Sequence, residues 1–253
     1  MMKDGIHLIM PMAGSGTRFA GYNLPKPLIR LQGKPMFYWA AQSIVGYTGV
    51  SDITFVVLQD HIEQFAIDEQ IRSFYPDAIV RIVPEVTKGA VITCMEGTKG
   101  IIDEQPVLMN DCDHAFICTQ FIEYLKKKDY SKYDGALLTF TANSPNYSYV
   151  MVDAVGEVIG TKEKEVVSNE AICGAYYFRD ARTFTEAATG YLKNCSYREY
   201  FTSGVYNELI DMKKKIRTFA VEEHIPFGTP DEYDRAQFDN RLKILERPTK
   251  TNG

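Results

Sequence analysis

The stretch Pro11-Met-Ala-Gly-Ser-Gly-Thr-Arg18, followed by Pro25-Lys-Pro-Leu28, decides the reading of this chain. The apolar run from Ile6 to Met12 reads as a strand, so the glycines form the turn at its end. Gly14 and Gly16 have no side chain to hold phosphate oxygens away from backbone N–H groups, and a helix opening after the turn would add its positive end. No Asp or Glu occurs between Asp4 and Asp52, where about six of the 33 acidic residues would fall at even spacing; Arg18, Lys26, Arg30 and Lys34 all lie there. This is an electropositive pocket in a chain of net charge −5, and it suits a triphosphate. Pro25 and Pro27 restrict the backbone on both sides of Lys26, which predicts a stiff, extended segment presenting that cation. A dinucleotide fingerprint is excluded by Phe19 in place of the third glycine and by Gly33-Lys-Pro35 where an acidic residue is required. A P-loop is excluded because Gly21 is followed by Tyr22 and Asn23.

With 253 residues, 45% of them hydrophobic, the chain can bury a sizeable core. The acidic balance argues against a nucleic-acid-coating role, which needs an extended basic face. No apolar run is long enough to span a membrane, and Met-Met-Lys-Asp-Gly at the start does not resemble a signal peptide, so a soluble, cytoplasmic protein is expected. Cys94, Cys112, Cys118, Cys173 and Cys195 are odd in number, lack Cys-x-x-Cys spacing and read as reduced thiols; the four scattered histidines argue against structural zinc.

Strand and helix patterns alternate through the first half. Strands are expected at Ile6 to Met12, Ile53 to Leu58, Ala78 to Val83 and Pro106 to Asn110, with helices at Met36 to Ile44, His61 to Phe74, Gly89 to Ile101 and Ala115 to Lys128. Beyond Asp134 the candidates are mostly strands: Ala136 to Phe140, Tyr149 to Asp153, Glu157 to Gly160 and Ile172 to Phe178, with a hairpin turn at Val152-Asp-Ala-Val-Gly156. Helices at Ala181 to Lys193 and Tyr197 to Lys215, a strand at Ile216 to Val221 and a helix at Asp231 to Leu245 close the chain. This order predicts an α/β fold, three-layer α/β/α, with a mixed, mainly parallel central sheet and a small antiparallel subregion. We expect one domain over 1–253, with residues 1–134 binding nucleotide and 135–238 binding an acceptor.

Two further segments carry candidate chemistry. Asn110-Asp-Cys-Asp-His114 follows the fourth strand, and carboxylates at i and i+2 at the C-terminal edge of a parallel sheet stand where ligand crevices form; they also suit a helix cap. Oxygen ligands beside a triphosphate suit Mg²⁺, which needs only one or two protein carboxylates. Thr87-Lys-Gly-Ala-Val91 opens a helix, where Gly89 would let a flat base approach the backbone, Glu85 or Thr87 could read its edge, and Thr87 could equally be a cap.

Ala13-Gly-Ser-Gly-Thr-Arg18, Pro25-Lys-Pro-Leu28 and Gly33-Lys-Pro-Met36, in this order and spacing, resemble the sugar-phosphate nucleotidyltransferases and their cytidylyltransferase relatives. The resemblance runs from residue 6 to about residue 236. It implies a nucleotide lying along Met12, Ala13, Gly14, Ser15, Gly16 and Thr17, with Arg18 on the β/γ-phosphates, Lys26 on the α-phosphate, and Glu85, Thr87, Gly89 and Ala90 beside the base. Arg18, Lys26 and Asp113 are then the catalytic candidates, with Asp113 as metal ligand and Asp111 as a second ligand that also faces the nucleotide. Lys162, Lys164, Asn169, Glu170 and Gly174 match the acceptor elements, although Lys164 equally fits a solvated hairpin edge. Phe227-Gly-Thr-Pro230 matches the family's late Gly-Thr-Pro, but Pro226 stands where a second metal aspartate is usual, leaving Asp111, Glu223 or His224 as substitutes.

The implied activity is Mg²⁺-dependent transfer of a nucleotidyl group to a small phosphorylated acceptor with release of pyrophosphate. The segments around Asp113 and Lys164 are most similar to cytidylyltransferases of bacterial capsular polysaccharide pathways. That likeness implies CTP, and L-glutamine phosphate as acceptor, giving CDP-L-glutamine. A sugar 1-phosphate or phosphocholine acceptor is the alternative; a glycosyltransferase or a nucleotide-sensing module is the alternative of another class. No nucleic-acid or membrane partner is expected, and a homo-oligomer is compatible with the sequence.

Overall fold

The computed structural model describes residues 3–47 and 49–246. The elements run β1 (Ile6–Pro11), β2 (Arg30–Leu31), β3 (Lys34–Pro35), α1 (Met36–Val45), β4 (Val50–Leu58), α2 (Gln59–Phe65), α3 (Ile67–Phe74), β5 (Ile79–Val83), α4 (Ala90–Thr98), β6 (Val107–Asn110), β7 (His114–Ile117) and α5 (Thr119–Lys127). They continue with β8 (Gly135–Thr141), β9 (Ser148–Val152), β10 (Val158–Glu163), β11 (Glu170–Phe178), α6 (Ala181–Asn194), α7 (Thr202–Asp211), β12 (Ile216–Ala220), β13 (Glu223–Pro226), α8 (Pro230–Ala236) and α9 (Leu242–Leu245).

A nine-stranded sheet carries the order β10-β9-β11-β6-β1-β4-β5, with β8 pairing β11 and β12. β6, β1, β4 and β5 are mutually parallel, and β11 joins antiparallel beside β6. Strand β1 shows why two helical layers are required. Ile6, Leu8 and Met10 face the core under α1, α3 and α5, whereas Ile9 faces the core under α4, α6 and α7. The three-layer α/β expectation holds, and small antiparallel sheets flank the main one. The chain leaves β1 toward β4 on one side and reaches β6 on the other, so a crevice opens between the C-terminal ends of β1 and β6, the usual ligand position in such sheets.

Several predicted elements differ. Ala115 to Ile117 are strand and not helix, because β13 pairs antiparallel with β7 and supplies the hydrogen bonds a helix would have made internally. The helix expected at His61 to Phe74 breaks at Ala66, which takes a left-handed conformation (φ 47°) and lets the second piece bury Ile67 and Ile71. Residues 197–201 are bent, irregular chain and leave only Thr202–Asp211 helical. The closing helix is two short ones separated by a turn in which Arg241 binds Asp239. No helix among the described residues is long and apolar enough to cross a membrane, and all five cysteines are free.

Candidate active site

A cleft of about 610 Å³ opens at the ends of β1 and β6. Its first wall is the loop after β1. Gly14 has nothing within 4 Å of the position a Cβ would take, so its backbone is open to the cleft. Gly16 is left-handed (φ 60°) and backs onto Lys26, whose Cβ lies 3.4 Å from where a Gly16 side chain would begin. The chain continues into a single 3₁₀ turn, Thr17–Phe19, and not the longer helix that could have lent a positive end; Phe19 anchors it in the core.

Lys26 also sits in a 3₁₀ turn, Lys26–Leu28, where an extended segment was expected. Buried Pro27 and Leu28 fix this turn, and the Lys26 side chain is only 15% exposed. Its Nζ donates to Asp113 Oδ2 at 2.6 Å, and the Arg18 guanidinium lies 3.8 Å from the same oxygen. Burial by itself would raise the Asp113 pKa, but Lys26 overrides it and, with His114 and Arg18, holds the carboxyl well below the usual range. Burial works against the Lys26 ammonium, and Asp113 more than restores it, so its pKa is raised. Asp111 takes the opposite course: burial first, then the Asp113 charge, push it up to about 7.

Glycines distant in sequence, one in β11 and one between β13 and α8, make room for these carboxylates. A Cβ on Gly174 (φ 86°) would stand 2.9 Å from Asp111 Oδ2, and one on Gly228 would stand 2.6 Å from Asp113 Oδ2. Asp111 N donates to Gly174 O, and Phe227 N donates to Asp113 O, so β11 and the strand end before α8 fix the turn after β6. Of the substitutes for the aspartate missing at Pro226, Glu223 is held by Arg241 at 2.5 Å. His224 lines the cleft with its pKa lowered to about 3 by burial, and Asp111 remains the carboxylate beside Asp113.

Residues 9–168 match the family model described as MobA-like NTP transferase domain. The chain belongs to this family. Among curated proteins it is similar to the 2-C-methyl-D-erythritol 4-phosphate cytidylyltransferase of Clostridium novyi (strain NT), 28% identical over 115 residues. That match covers 46% of this chain and 48% of the relative, so the chain spans about half the length of the curated relative it matches. Among solved structures, a nucleoside-diphosphate-sugar pyrophosphorylase from Vibrio cholerae RC9 superposes with a TM-score of 0.77 at 24% identity, covering 92% of this chain and 100% of that one. The inositol-1-phosphate CTP transferase from T. maritima gives 0.73 at 14% identity, covering 97% and 96%. At these identities the two structures establish the fold.

In this MobA-like domain the cleft brings together Ala13, Gly14, Ser15, Gly16, Thr17, Arg18, Lys26, Thr87, Gly89, Ala90, Asp111, Asp113, Lys164 and Gly174. Other expected residues lie elsewhere. Met12 is buried in the core. Glu85 is exposed outside the lining, and Lys162, Asn169 and Glu170 do not line the cleft either. Arg30 bonds the Gly33 carbonyl and Lys34 lies over the Tyr38 and Phe74 rings, so neither adds its charge to the pocket. Gly89 has a structural purpose as well. A Cβ there would lie 2.4 Å from Tyr200 N, and Tyr200 bonds Lys88 O and Val91 N, so the glycine admits a crossing backbone. Thr87 Oγ1 holds the loop internally, through Gly89 O and Thr93 Oγ1.

The sequence reading missed Tyr147, Tyr176, Glu199, Phe201 and Glu232, all of which line the cleft. Glu163, one of the alternating charges around Lys164 near the expected acceptor strand, also lines the cleft. Glu199 and Phe201 were not legible, since their pattern resembles the start of α7. Glu163 is held by Ser148 and Ser203, and Glu232 closes the α8 capping box with Thr229 while accepting from Tyr147.

Proposed function

We propose that this protein transfers a nucleotidyl group from a nucleoside triphosphate to a phosphate oxygen of a small acceptor. A new oxygen–phosphorus bond forms at the α-phosphate and the bond to the β-phosphate breaks, releasing pyrophosphate with the electron pair. The observation that carries this reading is the convergence of Lys26 and Arg18 at Asp113, beneath a glycine loop open to the cleft. Lys26 neutralises charge growing at the α-phosphate, Arg18 holds the outer phosphates, and the loop amides orient the chain of phosphates. Residues 1–134 serve the nucleotide and 135–238 the acceptor.

Asp111 and Asp113 fit Mg²⁺. Both offer hard oxygen donors in cradles that a Cβ at Gly174 or Gly228 would fill. Among the described residues no group of three or more His, Cys, Asp or Glu is placed to hold a metal, so phosphate and water complete the shell. When bound, the ion neutralises triphosphate charge. With a cation held at Asp113, the Lys26 ammonium that now bonds this carboxylate would be free to contact the phosphate.

The nucleotide we propose is CTP, supported by the cytidylyltransferase relative and by the short loop at 86–90, which suits a pyrimidine. The acceptor is L-glutamine phosphate, giving CDP-L-glutamine in a cytoplasmic step of capsular polysaccharide modification; mixed charges at Lys164 and the neighbouring glutamates support it. Pyrophosphate release is to be measured for CTP, UTP, dTTP, ATP and GTP against a panel of phosphorylated metabolites, with and without Mg²⁺. CTP with L-glutamine phosphate should lead by about tenfold in kcat/KM. A purine preference or a sugar 1-phosphate winner refutes the corresponding assignment, and no release with any pair refutes the reaction.

A further inference from the structure

Outside the pair Asp111 and Asp113, three carboxylates line the cleft: Glu163, Glu199 and Glu232. Glu163 is engaged by two serines, and Glu232 by the capping box and Tyr147. Glu199 has no hydrogen-bonding or ionic partner among the described residues. Its placement is nevertheless built. The segment that carries it is pinned to the loop before α4, because Tyr200 N donates to Lys88 O and Val91 N donates to Tyr200 O, across a position only glycine can occupy. Tyr200 packs toward Tyr191, while Glu199 and Phe201 on either side of it line the cleft. Lys164, left-handed at φ 55°, lays its ammonium over the Phe201 ring at 4.8 Å. A free carboxylate, an aromatic ring and the cation that lies over that ring thus line the same cleft.

We propose that Glu199 is a specificity-determining residue that holds a cationic nitrogen of the second substrate, making that substrate a phosphorylated amine or amino acid and not a neutral polyol phosphate. The proposal rests on the nucleotidyl-transfer reading. A carboxylate without an internal partner loses hydration when substrate fills the cleft, and an ammonium restores the interaction with a charge-assisted bond. A hydroxyl in the same place offers a weaker neutral donor. Glu163 and Glu232 cannot substitute without surrendering the bonds that position β9, α7 and α8.

The test uses two ligands that differ at one group, 2-aminoethyl phosphate and 2-hydroxyethyl phosphate. Each is titrated calorimetrically into the full chain with Mg²⁺ and a CTP analogue whose α,β-bridge cannot be cleaved. The amine should bind the wild type at least about tenfold more tightly, and Glu199→Gln should erase that ratio with the fold intact. Lys164→Gln should leave the ratio standing. Equal affinities in the wild type, no binding of either ligand at about 10 mM, or a ratio that survives Glu199→Gln overturns the proposal. A Glu199→Gln variant that loses CTP-over-UTP discrimination while keeping the amine preference also overturns it, by assigning Glu199 to the base. Because binding is read without turnover, failure here is distinct from failure of the transfer reading, which would appear as absent pyrophosphate release with every substrate pair.

Discussion

Gly228→Ala tests whether the placement of Asp113 is what the distant Gly-Thr-Pro turn provides. A Cβ at this position would stand 2.6 Å from Asp113 Oδ2 and 3.0 Å from its Cγ. Ordinary van der Waals contact begins at 3.4 Å, so the carboxylate has to recede by about 0.8 Å. Gly228 has no positive φ, so the change adds bulk without backbone strain, and the bond from Gly228 N to Glu232 is preserved. The displaced oxygen is the one Lys26 holds at 2.6 Å, and misplacement on the order of 1 Å can cost about 10²-fold in rate. We expect kcat for pyrophosphate release to fall about 10- to 100-fold, or about 1.4–2.7 kcal/mol of transition-state stabilisation, with stability lowered by about 1–2 kcal/mol. The assay is steady-state release at saturating triphosphate across a Mg²⁺ series, with thermal unfolding in parallel. Gly14→Ala is the comparison: nothing lies within 4 Å of its added methyl, so Asp113 stays put and the loss should fall on KM for nucleotide. A Gly228→Ala enzyme with kcat within about threefold of wild type refutes the reasoning.

Three other outcomes are expected. Lys26→Ala should lower kcat by about 10²-fold or more, whereas Arg18→Ala, exposed at the cleft mouth, should act mainly on nucleotide KM; steady-state kinetics of both variants separates the roles. Gly89→Ala should destabilise by more than about 2 kcal/mol in denaturant titration, since its Cβ would enter the Tyr200 backbone and its φ of 140° suits only glycine. His7, buried at the start of β1 and bonded to Thr54 Oγ1, has its pKa lowered by burial from 6.5 to about 4. The unfolded chain therefore binds the proton first, and the His7 contribution, fully present above pH 6.5, is lost as pH falls toward 4, by about 2 kcal/mol at pH 5. His7→Gln should flatten the stability profile in that window, and parallel profiles would contradict the assignment.

The sequence by itself determined the parts whose causes are local. Glycines at 14 and 16 after an apolar strand and the alternation of strand and helix patterns are each consequences of backbone sterics and hydrophobic period, so they can be read without knowing what lies across the fold. That was enough for the three-layer architecture and for the loop, lysine and carboxylates that meet in the cleft. Where a distant partner decides conformation, local pattern misleads. Ala115 to Ile117 have helical spacing but become β7 because β13 returns beside them, and residues 197–201 stay out of the helix because Gly89 lets Tyr200 bond the loop before α4. The tertiary structure alone brought Lys26 to Asp113 across 87 residues and set Gly174 and Gly228 against the carboxylates. It also left Glu199 without an internal partner among the described residues of the cleft. These depend on which atoms share space after the sheet closes, and that is a property of long-range packing which no short window of sequence contains.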